Sequence, residues 1–115
     1  MTESIYQRDD LALLKDSGAE TSSTNGTGQA IGPTDLVQLV IHVTAKSGTT
    51  PTLDLAFEQS DSLGSGYAVV VKAPQITAVG VYTVYAKFTK KYVRYASTIA
   101  GTSPSFTYEI GVCKP

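Results

Sequence analysis

The sequence predicts an all-β domain, an antiparallel β-sandwich of the jelly-roll kind with an extended N-terminal arm. Val, Ile and Thr make up 32 of the 115 residues, and such β-branched side chains are stiff and fit a pleated surface. From Leu36 onward, apolar and polar residues alternate in segment after segment, the period-2 pattern of strands that bury one face. No helical pattern accompanies them that could cover those faces, so a second sheet must, with a closed barrel as the alternative. The length suits a single structural domain, divided into an arm over residues 1–35 and a sandwich over residues 36–115.

Residues 1–35 carry Arg8-Asp9-Asp10, then Leu11, Leu13 and Leu14, then a stretch rich in Ser, Thr and Gly from Ala19 to Pro33. Gly18, Gly26, Gly28, Gly32 and Pro33 exclude a long helix there, because glycine costs about 1 kcal/mol and proline about 3 in a helix interior. Leu11 to Leu14 reads as one helical turn capped by Asp10 or as a short edge strand, with the extended form preferred.

In the first strand Val37, Leu39, Ile41 and Val43 alternate with Gln38, Val40, His42 and Thr44. Thr52 to Gln59 follows a Gly-Thr-Thr-Pro turn and points Leu53, Leu55 and Phe57 to the core, with Asp54, Ala56 and Glu58 to solvent. Asp61 to Gly66 reads as a loop and Tyr67 to Lys72 as a short strand. Pro74 to Gly80 is an irregular link that directs Ile76 and Val79 inward. Val81 to Phe88 alternates again, and Thr89-Lys90-Lys91 is short enough for a hairpin turn. Tyr92 to Ile99 and Ser105 to Val112 complete six strands, the last with Phe106, Tyr108, Ile110 and Val112 on one face.

Gly48-Thr49-Thr50-Pro51-Thr52-Leu53 recurs as Gly101-Thr102-Ser103-Pro104-Ser105-Phe106, 53 positions later. In each copy glycine admits a positive φ, hydroxyls satisfy loop backbone groups, and proline fixes the start of the next strand. Core positions after the two copies match in phase, Leu53, Leu55 and Phe57 against Phe106, Tyr108 and Ile110. Before them the phase fails, since Ile41 falls opposite Arg94, and a bulge or a one-residue difference in loop length would repair it. Two related hairpins in opposite parts of a sandwich are expected.

A net charge of −1 provides no field to gather nucleic acid or an anionic membrane. Cys113 and His42 are the only residues of their types, which excludes an internal disulfide and a His/Cys zinc set, and no cofactor is expected. The opening Met1-Thr2-Glu3-Ser4 shows no secretory leader and no apolar run reaches membrane-spanning length, so a soluble protein made in a reducing cytosol is expected. Asn25-Gly26-Thr27 then reads as a polar turn. Gly26-Thr27-Gly28 has neither the remaining glycine nor the flanking elements of a nucleotide site.

Candidate chemistry is sparse, and no enzyme is expected. Asp54, Glu58 and Asp61 form the densest carboxylate group, but Asp54 and Glu58 stand about 13 Å apart on a strand, too far to act on one glycosidic bond. The spacing of a calcium loop is absent. His42 reads as a surface residue, since no nucleophile-elbow motif accompanies it, and Cys113 as an inert terminal thiol, since only Lys114 is near it and no helix start is predicted there. Lys87, Lys90, Lys91 and Arg94, with Tyr85, Tyr92 and Tyr95 nearby, form the one local concentration of positive charge. It reads as a solvated hairpin tip whose lysines block edge pairing, or as a contact for a protein partner in preference to nucleic acid.

Leu39-Val40-Ile41-His42-Val43-Thr44-Ala45, Ser47-Gly48-Thr49-Thr50-Pro51-Thr52-Leu53-Asp54-Leu55, Gln59-Ser60-Asp61, Phe88-Thr89-Lys90-Lys91-Tyr92-Val93-Arg94 and Gly101-Thr102-Ser103-Pro104-Ser105-Phe106-Thr107 together resemble small virion proteins of tailed bacteriophages. Capsid decoration, or cement, proteins look most similar. The likeness spans roughly residues 11–112, and its motifs are turns and strands. It implies a jelly-roll-like sandwich on the exterior of the virion head, made in the host cytoplasm and bridging major capsid protein subunits. It also implies self-association as a trimer or dimer. Such a protein needs no active site, because binding assembled but not free subunits stabilises the shell by mass action. The candidate contact residues are Tyr6 and Arg8 in the arm and Lys87, Lys90, Lys91 and Arg94 around the turn between the fourth and fifth strands, with no nucleic acid or membrane partner. The alternatives are a tail or head-to-tail joining protein, and a host- or carbohydrate-binding module, for which Thr83, Tyr85 and Lys87 present a thin aromatic platform.

Overall fold

The structure is a computed structural model that describes residues 13–113. Its elements are β1 (Leu13–Glu20), β2 (Thr24–Asn25), β3 (Gln29–Ala30), β4 (Leu36–Ser60), β5 (Ala68–Lys72), β6 (Gly80–Lys87) and β7 (Tyr92–Cys113). All pairings are antiparallel. In the resulting sheet β7 and β4 lie side by side at the centre; β1, β2 and β3 flank β7, and β5 and β6 flank β4.

Two pairs of expected strands are continuous. Leu36 to Thr44 and Thr52 to Gln59 are both in β4, and Tyr92 to Ile99 and Ser105 to Val112 are both in β7. The Gly-Thr-Thr-Pro and Gly-Thr-Ser-Pro segments that join them are corners in a ladder that carries on through Ser47↔Ser105, Thr49↔Thr102 and Thr52↔Ala100. The two copies of the motif therefore oppose each other in one corner. At equivalent positions Gly48 and Gly101 have φ of 109° and 121°, and Thr50 and Ser103 have φ of 46° and 49°, the left-handed conformations that turn the chain.

The ribbon must fold back there. A straight 25-residue strand would span about 80 Å, whereas the longest dimension of the molecule is 39 Å. The connection from β6 to β7 requires the same fold. Lys87 lies opposite Leu36 and Tyr92 opposite Ser60, so the five steps from Lys87 to Tyr92, with one strand spacing at each end, hold the two ends of β4 within about 27 Å of each other.

One irregularity reconciles the two halves of the repeat. The ladder steps from Val43↔Tyr108 to Ala45↔Thr107, so Thr44 is an extra residue in β4, and its hydroxyl donates to the Thr107 carbonyl at 3.3 Å. With that bulge Leu39, Ile41 and Val43 correspond to Val93, Tyr95 and Ser97, and all six are buried. Leu53, Leu55 and Phe57 correspond to Phe106, Tyr108 and Ile110, and these are buried as well. A single core cluster unites all of these except Ser97 with Leu14, Val37, Ile76, Phe88 and Val112. Each large side chain fully buried in it contributes roughly 1.5–3 kcal/mol.

Several local expectations are corrected. Thr89-Lys90-Lys91 does not close a hairpin, since β6 pairs with β4 and not with β7. Phe88 turns into the core, and its backbone exchanges bonds with Thr34, accepting from the Thr34 N–H at 2.8 Å and donating to the Thr34 hydroxyl at 3.1 Å. This pulls the link inward and across. Ile76 is buried and exchanges two backbone bonds with Leu53, whereas Val79 is exposed. Within the segment expected as an arm, residues 13–30 lie along β7: β1 pairs with 106–111, β2 with Ala96 and Ser97, and β3 with Tyr92 and Val93. Its small residues allow close packing; a Cβ on Gly26 would overlap the ring of Tyr95.

Candidate interaction surface

The densest polar cluster is internal and joins β1 to both halves of β7. Glu20, at the end of β1, accepts hydrogen bonds from the hydroxyls of Tyr95 at 2.7 Å, Tyr108 at 2.6 Å and Ser97 at 2.9 Å. The two tyrosine rings meet edge to face at 6.4 Å. Lys15, in the same strand, donates to the carbonyls of Tyr108 and Gly18 at 2.9 and 3.0 Å, and its Nζ lies 4.3 Å from the centre of the Tyr108 ring. Burial lowers the Lys15 pKa, and burial followed by the bond to Glu20 raises those of Tyr95 and Tyr108. Sequence reasoning missed this cluster. Its signal was two tyrosines at core positions, whose hydroxyls require buried partners.

The two charged groups that stand apart in the sequence meet in the fold. Arg94 Nε donates to Glu58 Oε1 at 2.7 Å, and the guanidinium lies 4.0 Å from the centre of the Tyr67 ring. This fastens the loop before β5 to the outer face of β4 and β7. Lys90 pairs with Asp61 at 2.9 Å in an exposed position, and Lys91 lies over the ring of Tyr92. Gln59 accepts from the backbone N–H of Thr89 and Lys90, holding the link between β6 and β7. Of the candidate contact residues, Lys87 and Lys91 are exposed, Lys90 is half-exposed, and Arg94 is half-buried and engaged within the sheet. Tyr6 and Arg8 lie outside the described residues.

The remaining candidates are local. Asp54 accepts from Gln75 at 3.1 Å, and His42 Nδ1 lies 3.9 Å from Glu109 Oε2. Cys113 is buried. Among the described residues no group of three or more His, Cys, Asp or Glu side chains is placed to hold a metal.

The large exposed apolar side chains among the described residues fall in two groups, Leu63 and Val69 before and on β5 and four others near β6. Leu36, Val79, Val81 and Tyr85 are each about half exposed, all on β6 or beside it. Compared with protein-family models, with curated proteins and with solved structures, the chain matches none. What fold and surface define is an antiparallel all-β protein in which Arg94 with Glu58 and Lys90 with Asp61 form ion pairs across the sheet.

Proposed function

We propose that the chain is a structural virion protein of a tailed bacteriophage, a decoration or cement protein without enzymatic activity. It binds the exterior of the assembled head and bridges neighbouring major capsid subunits, and the folded-over ribbon is a two-layer sandwich of the jelly-roll kind. The observation that carries this reading is that Gly48 to Leu53 and Gly101 to Phe106, which bear the resemblance, build the corner on which the fold depends. The resemblance therefore rests on fold-forming residues.

The distribution of polar groups supports a contact role. Glu20, Glu58, Arg94, Ser97, Tyr95 and Tyr108 are committed to internal bonds, which leaves shape, apolar edge and exposed lysines as the means of recognition. Lys87, Lys90 and Lys91, with Tyr6 and Arg8 from the first twelve residues, are the proposed contacts, and Arg94 supports the surface from within. A bound copy that recognises the junction between capsid subunits stabilises the shell by mass action, and many copies add their modest individual contributions.

The test is to mix purified protein with undecorated phage heads and with free capsid subunits, then count bound copies by electron microscopy. Regular occupancy on heads alone is expected. Equal binding to free subunits, or binding to neither, overturns the reading.

A further inference from the structure

Sheet edges expose unpaired backbone groups, and natural sheets guard them with charges, proline, bulges or short length. β1 carries Lys15 and Asp16 and two register shifts. β5 has five residues, a register shift in its ladder and a terminal Lys72. β6 ends on Lys87 but has no interruption between its terminal residues. Its register against β4 is unbroken over eight pairs, from Leu36↔Lys87 to Val43↔Gly80, and Val81-Tyr82-Thr83-Val84-Tyr85-Ala86 contains no charge, glycine or proline. Among the described residues β6 pairs with β4 alone. The exposed apolar side chains Leu36, Val79, Val81 and Tyr85 gather at this same edge.

We infer that β6 pairs, edge to edge and antiparallel, with β6 of a second copy of this chain, centred on Thr83. The strand suits itself as a partner. With Thr83 opposite Thr83, Val81 of each copy faces Tyr85 of the other, so two β-branched–aromatic pairs flank a threonine pair, all favourable cross-strand combinations. Shifting the centre to Val84 would instead put Val81 opposite Lys87. In the Thr83 register the two Lys87 residues lie at opposite ends of the seam, about 26 Å apart, where they do not repel appreciably. Each falls in a row between Leu36 of its own copy and Val79 of the other, where its methylene stem covers apolar surface and its ammonium reaches water. The rows across the joined sheet read Val40, Thr83, Thr83, Val40 and His42, Val81, Tyr85, Gln38.

This deepens the self-association that the resemblance to decoration proteins implies but does not depend on a capsid. A single short seam stands at the low end of specific interfaces, so association is expected in the range of about 10–500 μM. Sedimentation velocity over that range should show a monomer–dimer equilibrium for the unaltered chain. Thr83→Lys and Thr83→Glu, each placing like charges face to face, should each remain monomeric with an unchanged circular dichroism spectrum, and an equimolar mixture of the two should restore the dimer. A monomer throughout the range, charge variants that dimerise like the unaltered chain, or a mixture that stays monomeric would each overturn the inference. Head binding by a chain that is monomeric in solution would leave the cement reading standing without this one, and a dimer that ignores heads would do the reverse.

Discussion

Gly48 and Gly101 stand at equivalent places in one corner, and each presses on the segment that follows the other. A Cβ on Gly48 would lie 2.6 Å from the Ser103 carbonyl oxygen, and one on Gly101 would lie 2.9 Å from that of Thr50. Both contacts are with backbone, which cannot swing aside, and both glycines have left-handed φ. Gly48→Ala and Gly101→Ala should each destabilise the protein by about 2–4 kcal/mol, since strain and overlap add. Urea unfolding measures this. The double variant should cost less than the sum, because either change already opens the shared corner, and a loss below about 0.5 kcal/mol for either single change would contradict the geometry.

Much of this corner is legible in the sequence. The repeated Gly-Thr-Thr-Pro and Gly-Thr-Ser-Pro segments, the matching phase of Leu53 and Phe106, and the need for a bulge upstream are all sequence properties, and Thr44 supplies that bulge. That the two segments face each other was not legible, because Thr50 and Ser103 are not residues that announce a positive φ. The strands therefore read as separate where the ladder is continuous. Pairing of Arg94 with Glu58 was hidden for a related reason: they are neighbours only in the register of β4 on β7. Glu20 was hidden by distance, its tyrosine partners lying 75 and 88 residues away.

Glu20 is the fastening of β1 to the rest of the sheet. Glu20→Ala would leave the hydroxyl of fully buried Tyr108 without its acceptor, together with that of Tyr95. A loss of about 2–4 kcal/mol is expected, because orphaned buried donors cost more than the bond itself contributes. Tyr108→Phe removes donor and bond together and should cost less, and in the Glu20→Ala background its further cost should shrink towards zero. A double-mutant cycle by chemical denaturation tests this, and strictly additive losses would refute the coupling.

The same cluster sets the response to alkali. Tyr95 and Tyr108 have pKa values raised by burial and by Glu20, so above the ordinary tyrosine value near pH 10 the unfolded chain releases protons that the folded chain keeps. Stability is therefore fully present below about pH 10 and falls as pH rises beyond it, by at most about 1.4 kcal/mol per pH unit for each tyrosine. Lys15 acts in the opposite sense. Its lowered pKa means that the folded state loses that proton first, so rising pH relieves the burial of its charge and offsets part of the decline. Thermal unfolding between pH 8 and about 11.5 should show a falling midpoint that flattens in Tyr108→Phe and steepens in Lys15→Met. An equally steep decline in Tyr108→Phe would exclude the assignment.

Exposed lysines and half-buried Arg94 should separate attachment from stability. Lys90 and Asp61 form an exposed pair, which contributes less than about 1 kcal/mol, and Lys91 is exposed over Tyr92. Lys90→Glu combined with Lys91→Glu should leave the unfolding midpoint nearly unchanged and weaken attachment to heads about tenfold, a difference of about 1.4 kcal/mol. The unaltered contact should also weaken with added salt, as exposed charges are screened beyond about 10 Å at 0.1 M. Arg94→Ala is expected to behave in reverse. It strands the partly buried Glu58 carboxylate and removes the cation from the Tyr67 ring, so about 1–3 kcal/mol of stability is lost, while attachment of the folded protein is retained. Head binding measured alongside urea unfolding distinguishes the two, and a lysine double variant that binds as tightly as the unaltered chain would show these side chains to be solvated rather than in contact.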